Sequence, residues 1–367
     1  MEWSSLTFEN VKLMLRDFAR QRNWNQYHTP RNLALALIGE VGELAECFQW
    51  RTEEDCEGQL KGFTREEKIH VGEELSDVFL YLCRLADRCQ YHLPDAVSAK
   101  IALNAKKYPV QLSKGSANKY HTYSSETGVE WNNQSMDQAI PICSPEQSWG
   151  NMTLETLRAR LGDFVAARDW GALHRPRNLA LALAGEAGEL AELWQWRPEA
   201  AAAARSKEGE ERKEVTAAAA GFLADWNDAD KIELSQEISD VLIYLIRLSD
   251  VCGIDLSRAV LDKMAKNAAK YPASQVHGKW EKYTQYNNNK QKNCTFSEAE
   301  GDAQVGDPGS KQNIGGGASN KQNNDAPCRG CQSLTRIGIA YAVGVLSTLV
   351  LARLLLSPDH SSEKRGP

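Results

Sequence analysis

The sequence predicts an all-α protein: two tandem four-helix bundles, then a disordered tether and a single transmembrane helix. Three observations predict it. Apolar residues recur at helical rather than alternating spacing, whole blocks of sequence return later in the chain, and the C-terminal part turns first polar and then uniformly apolar.

Each helix has its own signal. Leu6, Val11, Leu15 and Phe18 place the first on a 3.6-residue period. Pro30 opens the second, which carries Leu33 through to Trp50. Thr64-Arg65-Glu66-Glu67 is a capping-box pattern, and Leu75, Val78, Leu82 and Leu85 continue a third helix behind it. Pro94 begins a fourth, which stops before Pro109. The block Pro30 to Leu37 returns as Pro176 to Leu183, and Gly39-Glu40-Val41-Gly42-Glu43-Leu44-Ala45-Glu46 returns as Gly185-Glu186-Ala187-Gly188-Glu189-Leu190-Ala191-Glu192, both 146 residues on. Ser76-Asp77 and Lys107-Tyr108-Pro109 return 163 residues on, at Ser239-Asp240 and Lys270-Tyr271-Pro272, so the second copy carries an insertion of 17 residues.

The domains that follow are 1–120 for the first copy, 121–150 for a linker, and 151–284 for the second copy with its Ala- and charge-rich insertion near 199–226. Residues 285–335, rich in Asn, Gly, Gln and Lys, are too polar to build a core and read as a disordered tether. Residues 337–356 hold one charge, Arg353, near the end of an apolar run of bilayer-spanning length, and read as a tail anchor. The N-terminal stretch has no basic region followed by an apolar run. Cytoplasmic catalytic domains on a membrane-anchored chain are expected, at the endoplasmic reticulum or the mitochondrial outer membrane. Nine cysteines without framework spacing fit free thiols. A formal charge of -6 with no long basic run argues against a nucleic-acid partner.

The chemistry lies in paired carboxylates. Residues three apart share a helix face, so Glu40 and Glu43 point one way on the second helix, and Glu74 and Asp77 one way on the third. One such pair alone reads as a solvated face. These pairs are embedded in apolar sequence, and both recur as Glu186, Glu189, Glu237 and Asp240. Four buried anions need a compensating cation, since desolvating each costs several kcal/mol. An all-oxygen donor set favours Mg²⁺, with Mn²⁺ second, and magnesium commonly brings a phosphate substrate. A di-iron bundle would need Glu-x-x-His, which neither copy offers.

Trp24, His28-Thr29-Pro30-Arg31-Asn32, the Gly39 to Glu46 block, Phe48-Gln49-Trp50 and Glu73-Glu74-Leu75-Ser76-Asp77 together resemble the MazG-like all-α nucleoside triphosphate pyrophosphatases, over about 6–120 and again 152–284. The resemblance implies that Glu40, Glu43, Glu74 and Asp77 carry the metal in the first copy, and Glu186, Glu189, Glu237 and Asp240 in the second. It also implies that Trp24, His28, Trp50 and Tyr81 surround the base, while Lys100, Asn104, Lys107 and Tyr108 lie near phosphate and sugar. Trp170, His174, Trp196, Tyr244, Lys263, Asn267, Lys270 and Tyr271 are the equivalents in the second copy.

The resemblance further implies Mg²⁺-dependent hydrolysis of a deoxynucleoside triphosphate, dCTP or a C5-modified dCTP, to the monophosphate and pyrophosphate. The alternatives are a broader MazG-like pyrophosphatase and a membrane-tethered helical scaffold that lost catalysis. The copies are expected to pair as a pseudo-dimer within the chain and to associate further as a homodimer.

Overall fold

The computed structural model describes residues 2–116, 140–197 and 222–279. Most of the linker and insertion, the tether at 285–335 and the apolar segment at 337–356 lie outside the described residues. Among the described residues no helix is long and apolar enough to cross a membrane.

The first copy contributes α1 (Phe8–Gln21), α2 (Pro30–Gln49), α3 (Glu53–Leu60), α4 (Arg65–Arg88), α5 (Leu93–Lys107) and the single turn α6 (Val110–Ser113). The second contributes α7 (Leu154–Ala167), α8 (Pro176–Gln195), α9 (Asp228–Val251), α10 (Leu256–Lys270) and the turn α11 (Ala273–Val276). Strand pairing among the described residues is confined to two isolated bridges. The caps follow the local sequence. Thr29 accepts from the Asn32 amide ahead of Pro30, and Thr64 with Glu67 forms the full capping box that starts α4. α5 ends at Lys107, with Tyr108 as its C-cap, before Pro109, as the sequence predicts. α3 was not expected. A second capping box, Thr52 with Asp55, opens it, and the backbone turns left-handed at Gly58, Gln59 and Leu60.

α2 packs on α4 and α8 on α9 within each copy, but the fourth helices are exchanged: α10 lies along α4 and α5 along α9. The short turn Cys89–His92, with Gln90 at φ 62°, directs α5 away from its own third helix. Its counterpart uses Gly253 at φ 67°, where a Cβ would stand 2.8 Å from the Gln59 side chain, so only glycine fits. α2 and α8 pack against each other at the centre, and one continuous apolar cluster runs through both copies, from Phe8, Leu37 and Phe79 to Leu183, Leu242 and Val260. Neither copy closes a core without the other, and the two fall in one compact unit.

The pairing repeats across a pseudo-two-fold relation. Phe8 donates its amide to the Met152 carbonyl at 3.1 Å, and Leu154 donates to Leu6 at 3.0 Å. Buried Trp3 and Trp149 donate their amides across the copies, to Glu155 and Glu9.

Candidate active site

The loop before α2 supplies Trp24 and His28, α2 supplies Glu40 and Glu43, and α4 supplies Glu74, Asp77 and Tyr81. One carboxylate oxygen from each of Glu40, Glu74 and Asp77 lies within 4.8 Å of the others. In the second copy the tight group is Glu186, Glu189 and Glu237. Glu43 and Asp240, the fourth members, sit close enough to raise the pKa values of Glu40 and Glu186 respectively.

The cations that face each carboxylate group come from the other copy. Lys263 Nζ of α10 lies 2.5 Å from Asp77, and Lys100 Nζ of α5 lies 2.5 Å from Asp240. Asn267 bonds Asp77, and Asn104 bonds Asp240. Tyr271 meets the Trp24 ring edge-on at 5.5 Å, and Tyr108 meets Trp170 at 5.4 Å. Arg22 and Arg168 donate to the Tyr271 and Tyr108 carbonyls at 2.8 and 2.9 Å, fixing those tyrosines. The structure thus brings most of the expected residues together across the two copies. Lys100, Asn104, Lys107 and Tyr108 belong to the second copy's carboxylates, and Lys263, Asn267, Lys270 and Tyr271 to the first copy's.

Electrostatics match this assembly. Burial, then repulsion from Asp77 and Glu43, raises Glu40 to about 7. Burial and Asp240 raise Glu186 to about 8 and Glu237 to about 7. Glu74, Asp77 and Asp240 are also raised, chiefly by burial, with the facing lysine opposing the shift. Glu74 and Glu237 each keep a buried Oε2 with no hydrogen-bond partner among the described residues. A buried carboxylate oxygen without a donor is costly, and a cation relieves it. Tyr81 and Tyr244 are raised by burial and by the nearby Glu40 and Glu186.

Trp50 and Trp196 stand apart, 88% and 87% exposed at the ends of α2 and α8, with no ring partner among the described residues. Other residues were not foreseen. Lys266 bonds Glu73 across the copies at 2.7 Å, and His70 approaches Glu74 at 3.3 Å. Leu103, Gln236 and Glu233 hold the corresponding positions of the other site, so the two rims differ. Arg84 and Arg247 reach His28 and His174. The Lys263, Lys266, Lys270 spacing marks one helix face, but sequence does not say which carboxylates that face meets.

Residues 38–122 and 187–285 match the MazG-like family model. The chain is 46% identical over 138 residues to dCTP pyrophosphatase 1 of Bos taurus, covering 38% of this chain and 79% of the relative. It is 43% identical over 145 residues to the Rattus norvegicus protein of that name, covering 40% and 81%. With the Homo sapiens protein it shares 48% over 114 residues, covering 31% and 66%.

Proposed function

This chain belongs to the MazG-like family, and from that premise we propose that it is a dCTP pyrophosphatase with two sites, each built from both copies. The observation that carries the proposal is the buried carboxylate group that faces a lysine and an aromatic pair contributed by the other copy.

The residues fit a divalent cation. The donors are all oxygen, they converge, and Glu74 and Glu237 hold orphaned buried oxygens. Glu40, Glu43, Glu74 and Asp77 would hold Mg²⁺ or Mn²⁺ in one site, and Glu186, Glu189, Glu237 and Asp240 in the other. When bound, the ion supplies charge neutralisation for the triphosphate and a more acidic water. The chain does the rest. Trp24 and Tyr271 border a base site, where a stacked base is worth about 1–3 kcal/mol. Lys263, Lys270 and Asn267 lie on the neighbouring turns of α10 and bind the phosphates. Water oxygen adds to the α-phosphorus as its bond to the β-bridging oxygen breaks, and a carboxylate of the group takes the water's proton. The products are dCMP and pyrophosphate. C5-substituted dCTP enters as a second substrate class.

Pyrophosphate release from a panel of nucleoside triphosphates, with Mg²⁺ and with chelator, tests this. Preference for dCTP and loss in chelator are expected. Equal turnover of all bases would favour the broader MazG-like activity, and no release from any would leave a helical scaffold.

Two further parts of the proposal rest on sequence and exposure. Residues 337–356 anchor the chain with its catalytic part on the cytoplasmic side. Leu35 and Leu181, 65% and 74% exposed on α2 and α8, supply apolar surface for association of a second copy.

A further inference from the structure

We propose that Arg84 and Arg247 are positioning residues that hold His28 and His174 as neutral rings protonated on Nε2, so that each histidine meets the nucleotide base as a donor to a carbonyl oxygen. The proposal rests on the dCTP site described above and names how its base is read.

The geometry recurs in both sites. Arg84 Nε donates to His28 Nδ1 at 3.2 Å, and Arg247 Nε donates to His174 Nδ1 at 3.4 Å. A guanidinium has no acceptor, so each Nδ1 must present its lone pair, and a neutral ring then carries its proton on Nε2. Arg84 is itself fixed: it is 4% exposed, and its two terminal nitrogens donate to Asp87 and to Asn25 Oδ1, each at 2.6 Å. Arg88 of the same helix donates to the His28 carbonyl at 2.9 Å and fixes the backbone. The charges around the ring are therefore Arg84 and Arg88 on α4, with Asp87 behind them bound also by Arg16 of α1. Burial, then Arg84 and Arg88, drives His28 down to about 3, and burial and Arg247 drive His174 to about 4.

Neither Nε2 has a partner among the described residues, although His28 lies beside Trp24 and His174 beside Trp170, with ring centroids 6.2 and 6.0 Å apart. A ring held this way donates at Nε2 over the whole working pH range and exchanges no proton with substrate. It favours a base with a carbonyl oxygen at the contact and disfavours adenine, which has none.

Nitrogen-15 NMR of the histidine rings in the ligand-free full chain tests the proposal, with His28→Gln and His174→Gln to assign signals. Both rings should be neutral and Nε2-protonated from pH 5 to 8, without titrating. In Arg84→Met with Arg247→Met the rings should titrate in the ordinary histidine range. Asp87 and Asp250 keep Arg16 and Arg158, so neither carboxylate is orphaned. In that variant KM for dCTP should rise about 2- to 10-fold at pH 8, the range for one lost hydrogen bond. It should also gain a pH inflection that the parent lacks, while kcat changes less, and the lysine substitutions should restore part of the loss. A parent ring protonated on Nδ1, or titrating above pH 5, overturns the proposal even if the variant does not fold. Unaltered ring titration in a folded variant also overturns it. Failure of the parent to hydrolyse dCTP would sink the substrate assignment and leave the ring measurement standing.

Discussion

Lys100 sits in the first copy of the sequence, yet its ammonium lies 2.5 Å from Asp240 in the second, with side chains 6% and 14% exposed. Replacing it by Met should disable the site whose carboxylates are Glu186, Glu189, Glu237 and Asp240. Removing one partner of a buried pair costs about 3–5 kcal/mol, and loss of one preorganised charge in a site costs about 10²- to 10³-fold in turnover. The other site contains Lys263 and Asp77 and is untouched. Lys100→Met alone should therefore leave roughly half the pyrophosphate release if the sites contribute equally. The decisive comparison uses two double variants. Lys100→Met with Glu237→Gln places both changes in one site and should keep the residual activity of Lys100→Met. Lys100→Met with Glu74→Gln places both changes in one copy of the sequence but in different sites, and should leave about 1% or less. Lys263→Met with Glu74→Gln or with Glu237→Gln gives the reciprocal pair. The assay is pyrophosphate release from dCTP at saturating magnesium, after circular dichroism has shown that each variant is folded. The reverse ranking of the double variants would refute the helix exchange.

Three other outcomes are expected. Glu40, Glu186 and Glu237 have folded pKa values of about 7, 8 and 7, above the ordinary 4.5. The folded state thus binds protons more tightly than the unfolded state, so in chelator the melting temperature should fall as pH rises from 5 to 8.5. Added magnesium should restore more at the alkaline end, and a flat profile would contradict the convergence of these groups. Trp24→Ala should raise KM for dCTP by roughly 5- to 150-fold, as expected for one lost stack, with a smaller effect on kcat; steady-state kinetics at fixed magnesium reads the split. The full chain should resist carbonate extraction from membranes, whereas a chain ending before Arg336 should be released, and equal release of both would remove the anchor.

Helical class and the paired carboxylate faces were legible in the sequence because each is local. A 3.6-residue apolar period, a Thr64 to Glu67 capping box and the Pro30 start depend on neighbours a few residues apart, and α1, α2, α4 and α5 form where those signals stand. Glu40 with Glu43 and Glu74 with Asp77 share helix faces by spacing alone, and apolar neighbours already implied that those faces turn inward. The partner of each face was decided only in the tertiary structure. Two copies with similarly patterned fourth helices can close on themselves or on each other, and local patterning is the same in both cases. The four residues of the Cys89–His92 turn, the left-handed backbone at Gln90 and Gly253, and the core shared by α2 and α8 select exchange. For the same reason the sequence names Lys100 as a candidate but not the carboxylates it faces, and Arg84 gave no signal at all. Its role depends on the contact between α4 and the loop before α2, 56 residues away in the chain, which exists only once the bundle has closed.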